Sequence, residues 1–169
     1  MVADNQTPVK SIHDSDVQPL VLAAARNVFE TMLSMSVEYV DEPPSRAMPG
    51  SRVAGTLGFA GDNISGGIYL QFSETFARLA AATALRINAE DEINSADVND
   101  VVAELCNMVG GTVSSRLSDL GFHCRPTVPF ITRGTNFEIE LVETTYSRRF
   151  VFAHETSRFI IGVFLKTTK

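Results

Sequence analysis

The sequence predicts an α+β fold in which helices cover one face of an antiparallel sheet. Three observations carry that reading. Two long segments repeat apolar residues at helical spacing, Arg52 to Phe72 breaks into two strand-like halves around a short polar turn, and the C-terminal third alternates β-branched and aromatic residues between turn signals. Helices grouped apart from hairpin-linked strands define this class, whereas a strict β-α-β alternation would indicate a parallel sheet.

Residues 1–15 mix Asp, Asn, Gln, Thr, Pro and Lys without periodicity and read as a loose tail, which leaves 16–169 as a single domain. From Val17 to Tyr39, Leu22, Ala25, Val28, Phe29, Met32, Leu33 and Met35 recur on one helical face, with Pro43-Pro44 as the stop. The hairpin over Arg52 to Phe72 turns at Gly61-Asp62-Asn63. Ser73 then caps a second helix from Glu74 to about Arg86, with Glu74 favourably placed in its first turn. An acidic linker, Asn88 to Asn94, leads to Ser95 as the next cap and to a long third helix over about 96–120, stopped by Gly121. Thr127 to Thr132, Phe137 to Thr144, Arg149 to His154 and Phe159 to Lys166 read as an antiparallel meander. Its Phe-rich strands supply core or, in the last of them, an edge for dimerisation.

Composition narrows the function. With 169 residues, 44% hydrophobic, the chain is long enough to fold without disulfides or a structural metal. Its formal charge of −6, with no basic run longer than Arg148-Arg149, argues against binding a phosphate backbone non-specifically. Cys106 and Cys124 form neither a CxxC pair nor a metal-ligand spacing with histidine and read as free thiols of a reducing cytoplasm. Leu20 to Ala25 is the longest apolar run, far short of the roughly 20 residues that span a bilayer, so a soluble, unexported protein is expected.

The third helix holds the candidate site. At about 100° per residue, Val98, Val101, Val102, Leu105, Met108, Val109, Thr112 and Val113 share the core sector, while Asp100, Glu104, Asn107 and Gly111 cluster on the opposite side. Gly110 and Gly111 sit mid-helix, where each costs about 0.5–1 kcal/mol relative to Ala. Bare backbone there suits the close approach of another molecule or of another helix. By residue type alone, Asp100, Glu104 and Asn107 also fit an ordinary solvated helix face.

The segment Asp100-Val-Val-Ala-Glu104-Leu-Cys-Asn107, followed 22 residues later by Pro129, resembles the D/S-x3-E-x2-N-x21-P signature of the CheC/CheX/FliY family of chemotaxis phosphatases. Asn107-Met-Val-Gly-Gly111 is similar to that helix's small-residue continuation, and Pro129 to Gly134 to the strand after it. Some members carry the Glu/Asn pair on two helices of an internal repeat. Here an offset of 80 sets Asn27 against Asn107 and Pro49 against Pro129, but Ala24 stands where Glu104 stands and Glu30-Thr31 replace the glycines. One functional site remains, as in the CheX branch, on a CheC-like pseudo-repeat.

The resemblance implies a phosphatase acting on the aspartyl phosphate of a CheY-like receiver domain. Glu104 and Asn107 would be catalytic, the amide orienting the attacking water and the carboxylate pairing with the receiver's Lys. Asp100, Gly110 and Gly111 would contact the partner. The chain would need no cofactor of its own, since Mg²⁺ sits in the receiver, and would form a homodimer that joins two sheets. A non-catalytic adaptor for a receiver or a flagellar-motor component is the alternative of a different class. Other chemistries lack support. His13, His123 and His154 are scattered, no HExxH or GxSxG string exists, Gly55, Gly58 and Gly61 lack dinucleotide spacing, and Glu90-Asp91-Glu92 with Asp97 lacks the pattern of a calcium loop.

Overall fold

The computed structural model of the chain describes residues 11–44, 48, 50–88 and 92–168. The N-terminal tail over residues 1–10, Pro49 of the repeat, and Glu90-Asp91 of the acidic linker lie outside the described residues.

Helix α1 spans Asp14–Leu33, its first turn closed by the Asp16 carboxylate, which accepts from the His13 N–H at 3.0 Å. It begins two residues inside the expected tail and ends earlier than the apolar spacing suggests. Ser34 takes a left-handed conformation, φ 51°, and donates back to the Glu30 carbonyl. Beyond it Met35 and Val37 are still buried, but at every second residue of an extended chain that becomes strand β1, Glu38–Val40. A period of two grafted onto the end of a helix imitates one further helical turn.

Strands β2 (Ser51–Ala60) and β3 (Ile64–Ser73) form the expected hairpin. Helix α2 (Glu74–Leu85) starts at the Ser73 cap, whose hydroxyl accepts from the Phe76 N–H at 3.2 Å. Helix α3 spans Ser95–Asp119, with Asn94 rather than Ser95 as its cap: the Asn94 side chain accepts from Asp97 N–H at 2.9 Å. At its far end Gly121 adopts φ 87° and Phe122 N–H bonds to the Leu117 carbonyl, closing the helix.

After α3 the chain departs from a simple meander. Strands β4 (Arg125–Pro126) and β5 (Phe130–Thr135) both pair with β2, whereas β6 (Tyr146–His154) and β7 (Ser157–Thr167) form a hairpin on the other side of β3. The sheet reads β1-β6-β7-β3-β2-β4, with β5 also on β2, and every pairing is antiparallel. The segment Phe137 to Thr144 is therefore no strand. It must cross from β5 to β6 over the face remote from the helices, and its alternation serves to drop Ile139 onto that face between Glu138 and Glu140. Nor is β7 an edge, because β6 and β3 flank it.

This order is a pseudo-twofold. The runs α1-β1-β2-β3 and α3-β5-β6-β7 exchange their first strands: β1 pairs with β6, β5 pairs with β2, and β3 meets β7 at the centre. The helices cover one face, where Phe159 stacks at 4.7 Å on Phe29 of α1, at 5.6 Å on Phe76 of α2 and at 5.4 Å on Phe152 of β6. On the other face, Met48, Tyr69, Ile160 and Phe164 make a smaller apolar cluster with Ile139 packed on it.

Candidate functional site: the exposed face of α3

Helix α3 presents 25 residues, about 37 Å of rod, across β2 and β3. Its buried side contains Val98, Val101, Val102, Leu105, Val109 and Val113 as expected, while Met108 and Thr112 lie half-buried at the margin. Two glycines decide how low the helix sits. A Cβ on Gly55 of β2 would lie 3.0 Å from the Cys106 Cβ and 3.1 Å from the Val102 carbonyl oxygen, and one on Gly110 would lie 3.0 Å from Leu57 Cδ2 and 3.1 Å from Ile68 Cγ2. Gly110 is thus buried against the sheet and faces no partner, which corrects the expectation drawn for it. Gly111, one residue on, has open space where its Cβ would be.

The two classes of glycine differ in consequence. Gly111→Ala should raise stability by up to about 1 kcal/mol, because the chain loses unfolded-state freedom without a clash. Gly55→Val should lower it by about 1–3 kcal/mol by forcing α3 off the sheet. Urea denaturation of the two variants checks both signs, and equal effects would contradict the packing described.

Asp100, Glu104 and Asn107 are all exposed. Among the described residues none of the three side chains has a hydrogen-bond or ion-pair partner within the chain. Successive offsets of four and three place them along one helical stripe about 10 Å long. In the counterpart helix α1, Asn27 is likewise exposed, but Ala24 is fully buried, so no second carboxylate–amide pair forms.

The stripe is held rigidly from beneath. Arg133 of β5 donates through Nε to Asn99 Oδ1 at 2.7 Å, through Nη1 to Glu74 Oε2 at 2.6 Å, and through Nη2 to the Ser95 carbonyl at 3.2 Å. One guanidinium so ties β5, the start of α2 and the first turns of α3 together, immediately beside Asp100. Nothing local in the sequence marks Arg133 for this role, since Glu74 lies 59 positions away. Below the stripe, burial pushes the Cys106 thiol up to about 12, which keeps it protonated and unreactive at neutral pH. Among the described residues no group of three or more His, Cys, Asp or Glu side chains could hold a metal ion, and no helix is long and apolar enough to cross a membrane.

Chemically, the arrangement is a helix face carrying one amide and two carboxylates without intramolecular partners. Such a face can dock into a cleft and contribute groups to a reaction there.

The family model described as chemotaxis phosphatase CheX matches residues 53–153. No curated protein matches the chain by sequence. Among solved structures, the chemotaxis protein CheX from Vibrio vulnificus is similar with a TM-score of 0.76 and 23% identity over 92% of this chain and 100% of that one. A chemotaxis protein CheX from Desulfovibrio desulfuricans is similar with a TM-score of 0.73 and 22% identity over 89% and 99% of the two chains. A structure from Borrelia burgdorferi, a complex of CheX with CheY, BeF3 and Mg²⁺, has a TM-score of 0.64 and 17% identity over 89% and 98%. At these identities the structures establish a shared fold.

Proposed function

The chain belongs to the CheX family of chemotaxis phosphatases, and from that premise we propose that it hydrolyses the aspartyl phosphate of a CheY-like receiver domain, using the exposed face of α3. The observation that carries this reading is the pairing of Glu104 and Asn107, exposed and without intramolecular partners on a rigidly seated helix. The helix that carries them is fixed by the Arg133 network and by close seating on the sheet at Gly55 and Gly110.

Phosphoryl transfer to water is mostly a matter of position and charge. The helix face enters the receiver's phosphorylation site. Glu104 pairs with the receiver's Lys and fixes the helix, and Asp100, one turn earlier, adds a contact at the rim. The Asn107 amide accepts a hydrogen bond from the attacking water through its carbonyl oxygen and sets it in line with the phosphorus. Water's oxygen then forms the new P–O bond as the bond to the receiver's Asp breaks, leaving a free carboxylate and inorganic phosphate. The receiver supplies the Mg²⁺, consistent with the ion recorded in the CheX–CheY complex from Borrelia burgdorferi. No phosphoenzyme forms, because the amide is a poor phosphoryl acceptor and Glu104 is engaged in an ion pair. Gly111 lets the receiver backbone come close.

This reading places the protein in the cytoplasm, where receivers are phosphorylated, with a domain that starts at Ile12, already packed in the core, rather than at residue 16. The test is phosphate release from a panel of phosphorylated receivers. Acceleration of at least one receiver supports the phosphatase, and saturable binding without acceleration of any establishes the adaptor instead. The chain also forms a homodimer by joining sheets. For that dimer the described strands offer two sheet edges, β1 and the β4–β5 side, because β7 is internal. Light scattering at micromolar concentration should give twice the chain mass, and a monomer mass refutes the dimer.

A further inference from the structure

Among the described residues, three buried polar atoms have no hydrogen-bond partner: Arg52 Nη2, Thr56 Oγ1 and Gln71 Nε2. They are not scattered. Val53, Leu57 and Phe59 of β2 belong to the core under the helices, so Arg52, Ala54 and Thr56 point to the opposite face, and Gln71 shares that face with Tyr69 of the second cluster. Register places Gln71 directly beside Ala54, with Arg52 and Thr56 one step diagonal on either side. The three orphans thus surround a single small side chain. Each is at least nine-tenths buried, with relative exposures of 4%, 6% and 6% for Arg52, Thr56 and Gln71.

The charge is as unusual as the hydrogen bonding. Among the described residues Arg52 enters no ion pair, and its one recorded bond is from Nε to the Met48 carbonyl at 2.7 Å. Taking a guanidinium out of water without a counter-charge is strongly unfavourable, and buried polar groups are otherwise nearly always paired. All three orphan atoms can act as donors. A water molecule offers two lone pairs and no charge. An oxyanion offers several acceptor positions and neutralises the guanidinium.

We propose that the sheet face remote from the helices carries a binding site for a small oxyanion, a carboxylate or phosphate group, held by Arg52, Gln71 and Thr56 around Ala54. Met48 from the β1–β2 connection and Ile139 from the β5–β6 crossover pack over the neighbouring Tyr69 and Phe164 and wall the site from one side. The site lies across the sheet from Asn107 and is independent of the proposed reaction.

Titrating the ¹⁵N-labelled full chain with inorganic phosphate and, separately, acetate, both at matched ionic strength, tests the site. The side-chain signals of Arg52 Nε–H and Gln71 NH2 should shift to saturation with at least one probe, phosphate identifying a phosphoryl ligand and acetate a carboxylate. Arg52→Met and Gln71→Leu should each weaken that probe at least tenfold while phosphate release from receivers stays unchanged. If Arg52→Met does not fold, Gln71→Leu and Thr56→Val serve in its place. Shifts that merely follow ionic strength, or binding equally tight in the variants, overturn the proposal.

Discussion

Asn107→Ala should lower phosphate release from a phosphorylated receiver about 100-fold, toward the receiver's own rate, while the dissociation constant of the complex stays within about threefold. That magnitude is typical of removing one preorganised hydrogen-bonding group that acts only as charge and geometry develop in the transition state. Nothing in the fold should suffer, since the Asn107 side chain is exposed and has no partner within the chain. The matched variant, Glu104→Ala, should show the reverse split, a weakened complex with a smaller change in the rate at saturation, because its ion pair forms in ground state and transition state alike. Stopped-flow binding with phosphate-release kinetics separates the two. An Asn107→Ala protein that releases phosphate at the parent rate removes the assignment of the amide, whatever becomes of binding.

The largest stability effect should come from Phe159→Ala. Its ring meets those of Phe29, Phe72, Phe76 and Phe152 at 4.7, 5.3, 5.6 and 5.4 Å, which makes it the point where α1, α2, β3, β6 and β7 converge. Truncation there removes buried area and leaves a cavity walled by other rings that cannot collapse, at a cost of about 3–5 kcal/mol. For a chain of this length that corresponds to a melting midpoint lower by roughly 6–20 °C. Phe159→Leu should cost clearly less. A loss below about 1 kcal/mol for the alanine variant would mean that the aromatic cluster is not the centre of the core.

Much of the molecule was legible in the residues because its signals are local. The Ser73 cap, the Gly61-Asp62-Asn63 turn and the valine stripe of α3 each depend on neighbours within a few positions. The misread parts are those fixed by distant partners. Phe137 to Thr144 alternates like a strand, but the neighbouring strand it would need is absent where the chain must cross the sheet. The turn of buried spacing past Leu33 belongs to a strand whose partner is β6. At the site, Gly111 is half-buried, and the exposure of Asp100, Glu104 and Asn107 beside it followed from the helix period. The inward turn of Gly110 did not, because it depends on where Leu57 and Ile68 lie beneath it. Arg133 was invisible for the same reason.

The exchange of first strands between the two halves governs how the protein must assemble. Glu38 finds its place only opposite Ala153, and Phe130 only opposite Thr56. Neither half can complete its own sheet, so during synthesis β1 waits with unpaired backbone until almost the whole chain has emerged. Such long-range closures are entropically costly before they are rewarded, and they slow folding. They also tie the platform beneath α3 to both halves of the chain, so that loosening either half withdraws a strand from the edge of the other.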